Sequence, residues 1–243
     1  MQVLRSTADL SNYLTSNDVQ PGCFADTGFL YGLAYKDDRL FDLANDVHDL
    51  LADANVPIYS NVISRMELVD LIFRKQVTIG CVQMFNSATN PSFHKDIYKL
   101  LKDIRDKDTA AARKGESFKI DEGRLKRLRK NIDAEYGVSD WREFCSKYVG
   151  TMLTNEWTIL EQDFGLNFVE IMEGQISSLF NSPLLWSDMV GVMGEHGQRG
   201  PDAMIINLFA KSKFPLLITS DSDLEGCFTD PLQDYSDKAI LLL

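Results

Sequence analysis

The sequence predicts an α/β protein, a parallel sheet flanked by helices and interrupted by a long helical segment. Three observations predict it. Short apolar runs bounded by turn residues recur towards both ends of the chain: Cys23-Phe24-Ala25, Val56-Pro57-Ile58-Tyr59, and stretches 167–171, 214–219 and 239–243. Between them lie stretches with apolar residues at helical spacing, so strands alternate with helices. From about 76 to 164 the pattern is helical, with no convincing strand.

Each element has its own signal. Leu10, Tyr13 and Leu14 repeat at helical spacing, behind Ser6 or Thr7 as a cap. Pro21-Gly22 breaks the chain before Cys23-Phe24-Ala25, read as the first strand, which ends in Asp26-Thr27. Helices are expected over 28–35 and 38–54, the second with Leu40, Leu43, Val47, Leu50 and Leu51 on one face. Val56-Pro57-Ile58-Tyr59 is the next strand, and Ser60 or Asn61 caps a third helix that reaches about Lys75. After the helical middle, a strand is expected at 167–171. Pro183 opens a helix to about Met193, and Gly200-Pro201 opens another to Lys211. Strands at 214–219 and 239–243 complete the set. There is no internal repeat and no low-complexity tract.

The 243 residues suit one enlarged domain or a domain with an insertion. The composition, 44% hydrophobic and 25% charged, is that of a globular protein. The net charge of −11 is unevenly spread. Residues 95–147 hold 15 basic and 11 acidic residues, against 10 and 25 in the rest of the chain. The shift marks 76–165 as a helical insertion between a first part, 1–75, and a second, 166–243. The four cysteines, Cys23, Cys81, Cys145 and Cys227, have no zinc-knuckle or redox-pair spacing and read as reduced thiols. The stretch 1–22 has no signal-peptide pattern, and no apolar run approaches ~18 residues. The expectation is a soluble, cytoplasmic protein that spans no membrane.

The chemistry is carried by carboxylates. Asp26 follows one strand and Asp221 follows another, with Asp223 two residues on. Glu67 lies within the third helix and Asp202 opens a late one. Strand ends in open parallel sheets form the ligand cleft, so Asp26 and Asp221 can share one. Each residue also has a reading that needs no function. Asp26 suits a helix cap, Asp202 a helix dipole, and Asp221 and Asp223 a turn, while Glu67 has Arg65 and Arg74 on its own helix as partners. The set says more than its members. Two like charges about 4 Å apart, at an effective dielectric of about 20, repel by roughly 4 kcal/mol. Converging carboxylates therefore bind protons or a cation. Oxygen ligands without His or Cys select Mg²⁺ or Mn²⁺, which polarise a phosphoryl oxygen and activate water.

Four stretches then carry a resemblance. They are Phe24-Ala25-Asp26-Thr27-Gly28-Phe29-Leu30, Val56-Pro57-Ile58-Tyr59-Ser60 running into Arg65-Met66-Glu67-Leu68, Gly200-Pro201-Asp202-Ala203-Met204-Ile205, and Leu217-Ile218-Thr219-Ser220-Asp221-Ser222-Asp223-Leu224. In this order they resemble the acidic motifs of the PIN-domain nucleases, over roughly half the chain. The resemblance implies a short parallel sheet with helices on both faces. It also implies a divalent-metal site of Asp26, Glu67, Asp202 and Asp221, with Asp223 as a fifth contributor and Thr219 as the hydroxyl near the metal. Its members are mostly endoribonucleases, VapC-type toxins being the best-known branch, so the expected activity is metal-dependent hydrolysis of RNA or another nucleic acid. An antitoxin or other inhibitory protein is a possible partner on that branch. The long insertion is a departure from the compact toxins of that branch. A PIN-like scaffold without catalysis is the alternative.

Two further features stay open. The insertion's basic residues, with Arg124, Lys126, Arg127, Arg129 and Lys130 on one helix and Tyr98, Phe118, Tyr136 and Trp141 interleaved, suit nucleic-acid backbone contacts and base stacking; they suit an ordinary solvated face equally. The glycine-rich loop 194–200, with His196 and Arg199, either lines the cleft or only turns the chain. It lacks the ending of a P-loop. His48, His94 and His196 have no metal-site spacing, and no Ser or Cys nucleophile pattern is present.

Overall fold

A computed structural model describes residues 1–87, 95–132, 138–169, 177–228 and 235–243. The chain divides into two compact units. One comprises Met1–Ala34, Leu40–Leu68 and Leu160–Leu243; the other comprises Tyr35–Arg39 and Val69–Ile159. The expected insertion ran over 76–165. The helical unit instead begins at Val69, ends at Ile159 and takes in the short segment 35–39.

The first unit is built on six parallel strands: β1 (Gln2–Leu4), β2 (Cys23–Ala25), β3 (Ile58–Asn61), β4 (Asn167–Val169), β5 (Leu216–Thr219) and β6 (Ala239–Leu242). Their order in the sheet is β1-β6-β5-β2-β3-β4. Every residue of β2 and β5 is buried, the continuous apolar run expected of parallel strands covered on both sides. Phe24, Leu217 and Ile240 share a core cluster with Ile205, Ile206 and Phe209. Because side chains alternate along a strand, Cys23, Ala25, Leu216 and Ile218 face the other way.

The helices of this unit are α1 (Thr7–Ser16), α2 (Thr27–Ala34), α3 (Phe41–Asp53), and, near the C-terminus, α9 (Trp186–His196) and α10 (Gly200–Lys211). Between β3 and β4 come α4 (Val62–Ser87), α5 (Lys95–Ala112), α6 (Glu122–Asn131), α7 (Trp141–Tyr148) and α8 (Gly150–Gln162). The steps from β2 to β3 and from β4 back to β5 run in opposite directions across the sheet. Right-handed crossovers then place α2 and α3 on one face and α10 on the other. The chain reverses between β2 and β5, which makes the carboxyl ends of those two strands the switch point of the sheet.

Local chemistry sets the helix starts. The Ser6 hydroxyl accepts the Asp9 amide and caps α1. Asn61 Oδ1 accepts the Ile63 and Ser64 amides at 2.7 and 2.8 Å and caps α4. Pro201 stands in the first turn of α10. Three expectations are corrected. Cys23–Ala25 is the second strand, because Gln2–Leu4 pairs with β6 ahead of it. The helix expected to end near Lys75 continues to Ser87, since Val77, Cys81 and Met84 extend its buried stripe. The helix expected from Pro183 begins at Trp186, and Gly197, left-handed at φ 66°, closes it after His196. The expected strand 167–171 is seen over Asn167–Val169; its last two residues lie outside the described ones.

The second unit contains helices and, among the described residues, no strand. Ile97, Leu100, Leu101 and Ile104 form one face of α5 and pack with Val77, Cys81, Leu125, Leu128 and Phe144. No helix among the described residues is long and apolar enough to cross a membrane.

Candidate functional site

Asp26 sits one residue past β2. Its amide donates to Ile218 O at 2.9 Å, which extends the β2–β5 ladder by one step and fixes the residue at the switch point. Its carboxylate is only 8% exposed and is held at both oxygens. Oδ1 accepts the Thr27 amide at 2.6 Å, and Oδ2 accepts the Thr219 hydroxyl at 2.8 Å. Burial pushes this carboxyl above its ordinary value. The Thr219 and Thr27 hydrogen bonds pull it back, and the charges of Glu67 and Asp221 push it up again.

Two threonines tie the acids together. Thr219, fully buried at the end of β5, accepts the Asp221 amide at 3.0 Å while donating to Asp26. Thr27, the first residue of α2, donates from Oγ1 to Glu67 Oε2 at 2.9 Å. Glu67 thus finds its partner on α2. Arg65, suggested as its partner, lies with its guanidinium 3.4 Å from the centre of the Phe168 ring, and Arg74 pairs with Asp70 at 2.6 Å.

Asp202 lies in the first turn of α10, half-buried. Burial raises its carboxyl first, Asp221 raises it further, Arg199 opposes this, and Asp223 adds to it. Asp221 Oδ1 accepts the Asp223 amide at 2.9 Å, which starts the 3₁₀ turn Ser222–Phe228. Asp223 itself is exposed. The turn reading holds for Asp221, alongside its place in the cluster; Asp26 stands just before α2, with its side chain on the adjacent Thr27 amide rather than on one further into the helix. Close approach also shapes the site: a Cβ at Gly28 would stand 2.1 Å from Ser220 Oγ and 3.2 Å from its Cβ, so a larger residue there would force Ser220 to move.

All five acids are thus linked by charge or by one hydrogen bond at the carboxyl end of the sheet. The donor chemistry, carboxylates backed by hydroxyls, fits a hard divalent cation. The spacing is wider than a coordination sphere: among the described residues, no three His, Cys, Asp or Glu side chains stand close enough together to hold one metal ion.

The sequence reading did not pick out Thr27, Gln198 or Cys227. Thr27 adjoins Asp26, which is the one local signal it carries. Gln198 belongs to the glycine-rich loop, whose expected cleft residues were His196 and Arg199. Its Nε2 donates to Cys227 Sγ at 3.2 Å. Burial raises the Cys227 thiol first, the Gln198 bond lowers it, and Asp221, Asp223 and Asp202 raise it.

The insertion's basic helix is partly neutralised. Arg124 pairs with Asp103 at 2.7 Å and with Asp121, Lys126 pairs with Glu122 at 3.5 Å, and Arg129 lies 5.3 Å over Trp141. Trp141 stacks on buried Phe144, and Phe118 packs against the same core. Tyr98 is 39% exposed, and Tyr136 lies outside the described residues.

No protein-family model, no curated protein and no solved structure matches this chain. What the fold and site define is an α/β protein with a five-carboxylate cluster at the switch point of a parallel sheet.

Proposed function

We propose that this protein is a divalent-metal-dependent nuclease, most simply an endoribonuclease, with its centre at Asp26, Glu67, Asp202 and Asp221. The observation that carries the reading is Asp26. A buried carboxylate that faces two other acids, Glu67 and Asp221, is where a cation would offset both the burial and the like charges. The resemblance of the four acidic stretches to PIN nucleases supports it, as does the location at a switch point. Asp26, Glu67, Asp202 and Asp221, with Asp223 at the rim, would hold Mg²⁺ or Mn²⁺. Such an ion polarises a phosphoryl oxygen and lowers the pKa of bound water. The chain's own residues hold the acids in place: Thr219 and Thr27 orient Asp26 and Glu67, and Gly28 lets the two elements meet.

The test is incubation of the purified chain with mixed single-stranded RNA and DNA in Mn²⁺, with Asp26→Asn as control. Cleavage that needs both Mn²⁺ and Asp26 is the expected result, with RNA preferred. Cleavage that survives in Asp26→Asn would sink the reading.

A second reading, a PIN-like module that binds without catalysis, is favoured by the spacing: among the described residues, no three acids are assembled around one point. It predicts no Mn²⁺ binding by calorimetry in a folded sample. An inhibitory protein partner is a proposal attached to the first reading, and growth arrest on expression that disappears in Asp26→Asn would support it.

A further inference from the structure

A cleft of about 550 Å³ opens between α9 and α10. That is within the range of small-molecule sites, about 300–1,000 Å³. One wall is the face of α10 that carries Ile206, Asn207 and Ala210; the other is α9 from Asp188 to Glu195. The cleft adjoins the acidic centre. Cys227 lines it, and the Cys227 thiol is the group that meets Gln198 and feels Asp221, Asp223 and Asp202. Asp202 opens the same helix whose next turns form the wall.

The lining has a definite chemistry. Its lysine, Lys211, is paired with Asp188 and also donates to Pro183 O at 3.1 Å. Glu195 adds a second carboxylate. A free phosphate would therefore meet a paired lysine and two carboxylates, Asp188 and Glu195, with His196 as the remaining basic side chain of the lining. What the cleft offers is neutral hydrogen bonding from Asn181, Ser182 and Asn207, beside the Tyr235 ring and apolar Val192. Asn207 is 3% exposed, and its Nδ2 reaches Leu185 O at 3.4 Å, a long bond that a better acceptor would displace.

We propose that this cleft is a nucleobase subsite, taking the base of one unpaired nucleotide while the acidic centre faces that strand's phosphate. The inference rests on the nuclease reading for its choice of ligand. A base is planar, neutral and edged with donors and acceptors, which matches the lining, and unstacked bases are what proteins read in single strands.

The test is ligand-observed NMR on the full chain in metal-free buffer. The probes are the ribonucleosides, the 2′-deoxyribonucleosides, free ribose and inorganic phosphate. Two variants accompany the wild type. A Cβ added at Gly191 meets nothing within 4 Å, so Gly191→Phe grows into the cleft without straining α9. Asn207→Leu removes the amide while keeping the branching of the side chain. At least one nucleoside is expected to bind, roughly tenfold more weakly to each variant, a loss of about 1.4 kcal/mol. A base taken only as its ribonucleoside assigns the site to RNA, equal binding of both sugars assigns it to single strands of either kind, and both results support the subsite. No nucleoside binding, wild-type binding by Gly191→Phe, or competition by ribose or phosphate would overturn it. Mn²⁺-dependent cleavage separates the two claims. Nucleoside binding without hydrolysis sinks the nuclease and leaves the subsite; hydrolysis without nucleoside binding does the reverse.

Discussion

The Thr219 hydroxyl donates to Asp26 Oδ2 at 2.8 Å and accepts the Asp221 amide at 3.0 Å, so one buried side chain joins the acids at the ends of two neighbouring strands. Removing the hydroxyl leaves a buried carboxylate oxygen and an amide without this partner. Thr219→Val is therefore expected to lower stability by about 2–3 kcal/mol, the scale of a hydrogen bond to a charged group, with Thr219→Ser keeping most of it. Urea denaturation measures both. The Asp26 carboxyl, followed by carbon NMR, is expected to titrate higher still in Thr219→Val.

Thr27 performs the matching task for Glu67. If Glu67 serves a metal or its water, misorienting it has the cost of losing an outer-shell partner, about 10–100-fold in activity. Thr27→Val is expected to lose that much in kcat on RNA with Mn²⁺, and Thr27→Ser to recover most of it. Equal rates for Val and Ser would show that the hydroxyl has no part in positioning.

The raised Asp26 carboxyl has a direct consequence for stability against pH. The folded chain holds this proton more tightly than the unfolded chain, whose carboxyl titrates near the ordinary 3.8. Stability from this group is fully present below that value and is lost as pH rises through the higher folded value. Asp26→Asn carries no such loss. Relative to wild type, the variant is expected to melt higher at about pH 7 than it does at about pH 3. Parallel melting curves across that range would contradict the buried-charge account. Added Mn²⁺ is expected to raise the wild-type melting temperature and leave the variant unmoved.

Lys238 gives a slope of the opposite sign. Its ammonium is buried, donates to Ser212 O at 3.0 Å and Phe214 O at 2.9 Å, and lies 4.6 Å over the Phe209 ring. Burial lowers it from the ordinary 10.5 to about 8, against the pull of Asp237. Between those values the unfolded chain binds more protons, so stability rises with pH across that window, by an amount of order 3 kcal/mol. Lys238→Met is expected to lack this rise in urea denaturation followed from pH 8 to 10.5.

Gly28 and Ser220 form a steric pair, with a Cβ at Gly28 falling 2.1 Å from the serine Oγ and 3.2 Å from its Cβ. Gly28→Ala is expected to destabilise by about 1–3 kcal/mol, as overpacking does. Ser220→Gly in the same chain removes both clashing atoms and is expected to restore most of the loss. Additive effects in the double variant would show that the clash is relieved elsewhere.

The readable part of this protein was local. The apolar runs at 23–25 and 214–219 became central strands, the second over 216–219 only, and the acids that follow them stand at the strand ends. Pro201 and Asn61 marked helix starts by their own chemistry. The three-residue β1 was too short to show any alternation, and only its pairing with β6 makes it a strand. Pro183 looked like a helix start, but the helix begins beyond Leu185, where the backbone is still extended. Glu67 offered arginines of its own helix as partners, whereas its hydroxyl partner stands 40 residues away.

From its sequence alone, this chain determined most of its strands and helices (though not β1), where the charge shifts, and which carboxylates end up at element termini. Those properties follow from side-chain periodicity and capping, which act within a few residues. Tertiary structure decided that β2 lies beside β5, because strand order is set by crossovers spanning most of the chain. That single adjacency brings Thr219 to Asp26. The placement of α2 against α4 likewise brings Thr27 to Glu67, and α10 against the 3₁₀ turn sets Asp202 near Asp221.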